Sequence, residues 1–284
     1  RLCRDTIDRF DTLPLTDDRS KPRVGVVGEI LVKFQPDANN HVVDQIEAEG
    51  CEAVVPGLLG FMLNGMTTAQ WKADTYGVGE DKVRQKKMGV WFLEQMQAPA
   101  SAALAATHGK FDVECPITEL AEKAQRVLSL GNQAGEGWLL TGEMVDLIEN
   151  GVPNIVCCQP FACLPNHVVG KGMFREIRRQ FPQANIVGID YDPGASEVNQ
   201  LNRIKLMIST AFMMREQQPE MDAQERAEAL EQVLVGEDAA ALDGVADGRS
   251  MAELLADLGP APDWTPQSPD VAEEPVPELG GSAR

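Results

Sequence analysis

The sequence is poor in aromatics, at 5% of its residues, and holds only three histidines in 284 positions. A core built from it must be mainly aliphatic. It has no stretch near the roughly 18 uninterrupted apolar residues that a membrane helix needs, so no membrane span is expected. It has no excess of positive charge. The formal net charge is −19, which excludes a general nucleic-acid backbone binder, because phosphate affinity comes from Lys and Arg. The opening residues Arg1-Leu2-Cys3-Arg4-Asp5 lack the apolar core of a signal peptide. Six cysteines are too few for a disulfide framework. The expected compartment is therefore cytoplasmic, with the thiols reduced. There is no Ser-His-Asp arrangement, no His-Glu-x-x-His and no Gly-x4-Gly-Lys-Ser/Thr loop. Gly25-x-x-Gly28 lacks the third glycine and the later ribose-binding acid of a dinucleotide fingerprint, which excludes a nicotinamide enzyme.

What is present is unevenly spread. Residues 216–284 hold 17 of the 44 acids and 3 of the 25 bases. The body is only mildly acidic, and the last quarter, rich in Ala and Pro, supplies most of the charge. Such a segment buries too little apolar surface to offset its ordering entropy. The expected organisation is an incoming linker or helix over 1–22, one α/β domain over 23–215, and an acidic helix with a disordered tail over 216–284. The tail helix is placed at about Ala223 to Val235, with a short apolar docking segment at Met251 to Leu258.

Within the body, apolar runs alternate with helical patterns. Arg23 to Ile30 reads as a buried parallel strand. Val42, Val43 and Ile46 share one helix face, stopped by Gly50. Cys51 to Pro56 is a second strand. Helices follow over Glu80–Ala106, Thr118–Leu130 and Leu139–Glu149. Asn154 to Gln159 is a third strand, Gly170 to Phe181 a basic helix, Asn185 to Asp190 a fourth strand, and Ser196 to Arg215 a closing helix. The fold class expected is α/β: a mostly parallel Rossmann-like sheet of about four strands, helices on both faces and a central helical insertion. Ligands of such sheets lie beyond the carboxyl ends of the strands.

The segment Cys157-Cys158-Gln159-Pro160-Phe161-Ala162-Cys163-Leu164-Pro165-Asn166-His167 is the richest in chemistry. Thiolates are soft ligands for iron–sulfur clusters, zinc and copper. A Cys-x4-Cys pair, Cys158 and Cys163, leaves the third strand. Zinc sites ordinarily show tighter pairs, twice over. A cluster here needs further ligands, such as Cys115 or thiols of another domain or subunit. The competing reading is that reduced, buried Cys pack as small hydrophobes, Cys157 above all. His167 is a candidate ligand or proton carrier. Gly135-Glu136-Gly137-Trp138 reads either as an anion cradle at a helix entry or as a tight turn packing Trp138. Asp190 and Asp192 either hold a cation or form a capped Pro-Gly turn. His41 and His108 carry no pattern, and the basic helix is a solvated face or a docking surface for an acidic partner.

Four strings together carry a resemblance: Val27-Gly28-Glu29-Ile30-Leu31-Val32-Lys33-Phe34 with Ala38-Asn39-Asn40; Gly135-Glu136-Gly137-Trp138; Gln159-Pro160-Phe161-Ala162-Cys163-Leu164-Pro165-Asn166-His167; and Ile189-Asp190-Tyr191-Asp192-Pro193-Gly194-Ala195-Ser196. Over roughly Arg23 to Thr210 the chain resembles the C-terminal region of the large fused 2-hydroxyacyl-CoA dehydratase activase proteins. That region is similar to the dehydratase D-component, or beta subunit. The resemblance implies a cytoplasmic protein of anaerobic or facultative bacteria, with Rossmann-like lobes and a [4Fe–4S] cluster held through cysteines. Cys158 and Cys163 match the Cys positions of the motif.

Glu29, Glu136, Asn166 and His167 are then candidates for groups beside the cluster or the acyl-CoA. ATP belongs to activase domains upstream of this chain or to a separate activase, which are the expected partners. The chain is thus expected to be a terminal module of a longer polypeptide and not catalytic by itself. A homo-oligomer is compatible with this, and neither nucleic acid nor membrane is a partner. Two functions are expected from different classes: an iron–sulfur redox module relaying low-potential electrons, and a cluster-free dehydratase-like scaffold that docks partner domains. A dehydratase subunit proper is a third.

Overall fold

Strand β1 (Arg23–Gly28) runs through the middle of the body and is buried from its second residue onward. Its apolar, β-branched composition suits a position covered on both sides. It pairs in parallel with β2 (Glu52–Val54) on one side and with β3 (Asn154–Pro160) on the other, and β4 (Asn185–Tyr191) pairs in parallel with β3. The order is β2-β1-β3-β4. These relations come from a computed structural model, which describes residues 2–14, 21–107 and 110–217. The described residues all belong to one compact unit.

The crossovers explain the helices. From β1 the chain passes through α2 (Ile30–Phe34), a 3-10 turn at Pro36–Ala38 and α3 (Val42–Ala48) to reach β2. From β3 it passes through α8 (Leu164–Val169), a second 3-10 turn at Lys171–Met173 and α9 (Phe174–Gln180) to reach β4. Between β2 and β3 lies the insertion: α4 (Leu59–Tyr76), α5 (Glu80–Ala105), α6 (Ile117–Gln125) and α7 (Trp138–Glu149). The chain opens with α1 (Leu2–Asp11), and α10 (Glu197–Gln217) closes the described body. Among the described residues no helix is long and apolar enough to cross a membrane.

Period-two alternation along β3 divides the core. Val156 and Cys158 pack with Val42 and Ile46 of α3 and Ile204, Met207 and Ile208 of α10. Ile155 and Cys157 pack on the opposite face with Leu140, Met144 and Ile148 of α7, Val169 of α8 and Ile177 of α9. A third cluster lies within the insertion, with Trp138 and Leu139 of α7 meeting Leu63 of α4, Val90 of α5 and Leu120 of α6.

The expected sheet, with helices on both faces and a helical insertion, is what the structure has. Its details differ in three places. The first strand, expected over Arg23 to Ile30, ends at Gly28, and Ile30–Phe34 is helical, because Glu29 caps it: its Oε2 accepts from the backbone N–H of Val32 at 2.9 Å. The basic helix expected over Gly170–Phe181 starts later: α8, which was not expected, ends at Val169, a 3-10 turn takes up Lys171–Met173, and α-helix runs only over Phe174–Gln180. Helix α4 was not anticipated at all. The tail helix near Ala223 to Val235, the segment Met251 to Leu258 and His108 lie outside the described residues.

One glycine fixes the sheet's working end. Gly28 has φ +142°, and a Cβ there would stand 1.8 Å from the carbonyl oxygen of Cys158. The next residue, Glu29, donates its N–H to that same oxygen at 2.9 Å. Gly28→Val is therefore expected to cost about 3 kcal/mol or more, through strain and a backbone clash. The exposed Glu122→Gln should stay within about 0.5 kcal/mol. Urea unfolding checks both, and equal midpoints for the two variants would refute the argument.

Candidate functional site

Because β1 sends the chain toward β2 and β3 sends it toward β4, the two crossovers diverge at the carboxyl ends of β1 and β3. In open α/β sheets this is where ligands bind. Gly28 and Cys158 are register partners there.

On the β1 side the charged groups turn inward. Glu136, which is 6% exposed, accepts the N–H of Ile30 through Oε1 at 2.9 Å. Together, Glu29 and Glu136 satisfy two first-turn amides of α2. Lys33 reaches Glu143 of α7 and donates to both carboxylate oxygens at 3.1 Å. Both side chains are buried. Burial pushes the Glu143 carboxyl up, Lys33 opposes this, and nearby Glu136 adds to the rise. Asn39 holds the end of α2 by donating to the Val32 carbonyl at 2.7 Å. Gly28, Lys33, Phe34, Phe61, Glu136 and Glu143 line a small cleft here.

The Gly135–Gly137 segment is the tight turn of the two readings. Gly135 and Gly137 both have positive φ. The Trp138 N–H is taken by the Asn132 carbonyl at 2.7 Å, and the Leu139 N–H by Glu136 O at 3.1 Å. Asn64 donates to the Glu136 carbonyl at 3.0 Å. The first amides of α7 are thus spent within the turn, which seats Trp138 at 1% exposure.

On the β3 side, Cys163 precedes α8 and is half-buried. The fully buried Asn166 donates to its Sγ at 3.1 Å. His167 Nδ1 lies 2.9 Å from the Cys163 carbonyl, the geometry of an Nδ1–H donor. Gln159, also fully buried, donates to Asp190 Oδ1 at 2.8 Å. Lys171 donates to both Asp190 oxygens at 2.5 Å. Burial works against the Asp190 carboxylate, but the hydrogen bonds and charge of Lys171 and Gln159 outweigh it and hold its pKa down. Asn166 Oδ1 and Gln159 Oε1 are buried without a hydrogen-bond partner. The Cys163 loop touches the glycine turn, since Pro165 lies beside Gly135.

The structure brings together Cys163, Asn166 and His167, with Gln159 beside them. It places the other two proposed ligands elsewhere. Cys158 is fully buried in the α3–α10 core, where burial pushes its thiol up to about 12. Tyr191 Oη faces it but has no hydrogen-bond partner of ordinary geometry. Cys115 sits before α6 and packs against the Trp138 cluster. Burial raises its pKa, and Asp146 adds to the rise. Cys157 lies on the opposite face of β3 from Cys158, and burial raises its thiol as well. Among the described residues, no group of three or more His, Cys, Asp or Glu is placed to hold a metal ion. The three thiols expected to act together are thus apart: Cys158 and Cys115 lie in separate packed clusters, and Cys163 stands at the strand-end rim.

Sequence reasoning overlooked Lys33, Glu143, Gln159 and Lys171. An isolated Lys in an apolar run, Ile30-Leu31-Val32-Lys33-Phe34, was the available signal for the first, since a buried Lys needs a buried partner. The chain matches no protein-family model, no curated protein and no solved structure. What is shown is the class: an α/β protein with a four-strand parallel sheet.

Two variants test the site's electrostatics. Lys33→Met leaves Glu143 buried without its partner and should cost about 3–5 kcal/mol, while Lys33→Met/Glu143→Leu recovers most of it. A double variant as unstable as the single one would refute the pairing. Asp190→Asn should cost about 1–2 kcal/mol at neutral pH. An acid whose pKa is lowered on folding contributes its stability above its unfolded value. The deficit should therefore be full above about pH 4 and shrink as the pH falls through the lowered value. Urea midpoints at pH 7 and pH 3 check this, and a deficit unchanged between them would count against the ion pair.

Proposed function

We propose that the chain is a dehydratase-type lobe of an ATP-dependent 2-hydroxyacyl-CoA dehydratase activase system. In this reading it contributes Cys163 as one thiolate of a [4Fe–4S] cluster, which relays low-potential electrons. The remaining ligands come from outside the described residues, and ATP is handled by activase domains or a separate activase. The four sequence strings given above support the family. One observation supports the ligand: Cys163 is the thiol of the Cys-x4-Cys pair that stands on the strand-end rim, with the side-chain amide of Asn166 on its sulfur.

In this arrangement Asn166 orients the sulfur and supplies a hydrogen bond of the kind that tunes a cluster's potential. His167 holds the Cys163 carbonyl and so fixes the loop. Glu29 and Glu136 serve the site indirectly, by fixing α2 against the rim.

A second reading, the cluster-free scaffold that docks partner domains, is favoured by a different observation. Cys158 and Cys115 are committed to separate packed clusters. Anaerobic reconstitution with iron and sulfide separates the two readings. The expected result is a charge-transfer absorption and, after reduction, an EPR signal that Cys163→Ala abolishes and Cys115→Ala leaves intact. Iron near zero in the wild-type chain reconstituted together with the domains or subunit that supply the other ligands, or signals indifferent to Cys163→Ala, would overturn the redox reading in favour of the scaffold.

A further inference from the structure

Helices α4 and α5 pack against each other, and near the turn that joins them they leave a cavity of about 140 Å³. A single water needs only about 10–15 Å³, so there is room for a phosphate group. Gly65, Thr68 and Lys72 of α4, Gly79 of the turn, and Lys82 and Lys86 of α5 line it. The spacing explains the grouping. Thr68 and Lys72 stand one helical turn apart on α4, as do Lys82 and Lys86 on α5, so each helix stacks its pair on one face. Gly77 and Gly79, both with positive φ, turn the chain back between them.

Three ammonium groups around one space repel one another unless something negative lies between them. Other lysines of the body have a carboxylate partner: Lys33 has Glu143, Lys110 has Asp11, Lys123 has Asp146 and Lys205 has Glu49. Lys72, Lys82 and Lys86 have none at ion-pair distance among the described residues, in a chain with 44 acids and 25 bases. The hydroxyl of Thr68 likewise has no hydrogen-bond partner among the described residues. The acids of this corner fall on other faces. Asp74 takes the side-chain amide of Gln70 at 2.6 Å and lies around α4 from Lys72, and positions 80 and 81 lie around α5 from the Lys82–Lys86 stripe by helical register. The N-terminal end of the 26-residue α5 stands at the same cavity through Gly79 and adds the positive end of its dipole.

We propose that this cavity is a binding site for the phosphate or pyrophosphate group of a small molecule. Lysine holds phosphate as a point charge, and three around one concave space match a compact anion of two or three charges. A long polyanion needs a basic track, which a chain of net charge −19 does not offer. The site shares no residue with the strand-end rim, and the proposal is independent of the role of Cys163.

The test is calorimetric titration of the full chain with inorganic pyrophosphate, with sulfate at equal ionic strength as the comparison. The expected result is a single site that prefers pyrophosphate and that Lys72→Gln, Lys82→Gln and Lys86→Gln each weaken by about 10-fold, the loss of one charge-assisted hydrogen bond. Gly65→Leu is a check independent of charge. A Cβ at Gly65 meets nothing within 4 Å, so the new side chain enters the cavity without a clash, and replacing a glycine in a helix interior favours α4. This variant should keep or raise the thermal midpoint yet lose both the binding and the rise in midpoint that pyrophosphate gives the wild type.

Neither heat nor a shift in midpoint at millimolar pyrophosphate overturns the proposal. So does binding that sulfate matches, or that the Gln variants and Gly65→Leu leave intact, since that is diffuse attraction to surface charge. Carbodiimide cross-links from Lys72, Lys82 or Lys86 to acids of 216–284 that pyrophosphate does not suppress overturn it as well, because the chain's own acidic segment then fills the cavity.

Discussion

The fold depends on the close parallel approach of β1 and β3 at their carboxyl ends. Gly28 has no side chain, and that lets the Cys158 carbonyl come in and receive the Glu29 N–H. The approach sets the register of the central pair and starts α2 at once, so that Glu29 becomes a cap rather than a strand residue. It also opens the crevice where the two crossovers part. A bulkier residue at 28 would push β1 off β3, and every group on the rim would lose its reference point.

The second organising fact is that β3 serves two cores at once. Cys157 and Cys158 are adjacent in sequence, yet they belong to hydrophobic clusters on opposite faces of the sheet. Neither can serve the rim. Cys163 can, because the chain has left the sheet by then and enters α8. The rim is held from below by two polar pairings: the buried Lys33 with Glu143 on one side of the crevice, and the half-buried Lys171 with Asp190 on the other. A buried pair such as Lys33–Glu143 adds little net stability over a hydrophobic substitute, but removing one partner is costly. The two pairings fix where the loops stand.

Much of the fold was legible because its signals are local. Four apolar, β-branched runs separated by helical patterns specify a parallel sheet. The alternation that sends Cys157 away from Cys158 is a property of any strand. Helix α4 was missed because Leu59–Tyr76 includes Gly60, Gly65, Asn64 and three Thr, so its helical tendency comes from packing against α5, α6 and α7. The start of α9 was placed too early because the basic residues of 171–179 read as one face, whereas Lys171 turns to Asp190 on the neighbouring strand. The site was legible in outline, down to the loop that carries it. The partners of its charged groups were not: Lys33 and Glu143 are 110 residues apart, and no local pattern joins residues that far along a chain.

That separation has a consequence for biosynthesis. β1 meets its central neighbour only after the whole helical insertion has been made, since Gly28 pairs with Cys158. At a translation rate of about 5–20 residues per second, the ribosome takes on the order of ten seconds to supply that partner. Until then one long edge of β1, rich in valine, stands without its ladder of hydrogen bonds, and β2 offers only a three-residue strand on the other side. The nascent chain is thus most exposed to wrong pairing in the interval before residue 160 emerges, and α4 to α7 are the elements at hand to shelter that edge as they fold.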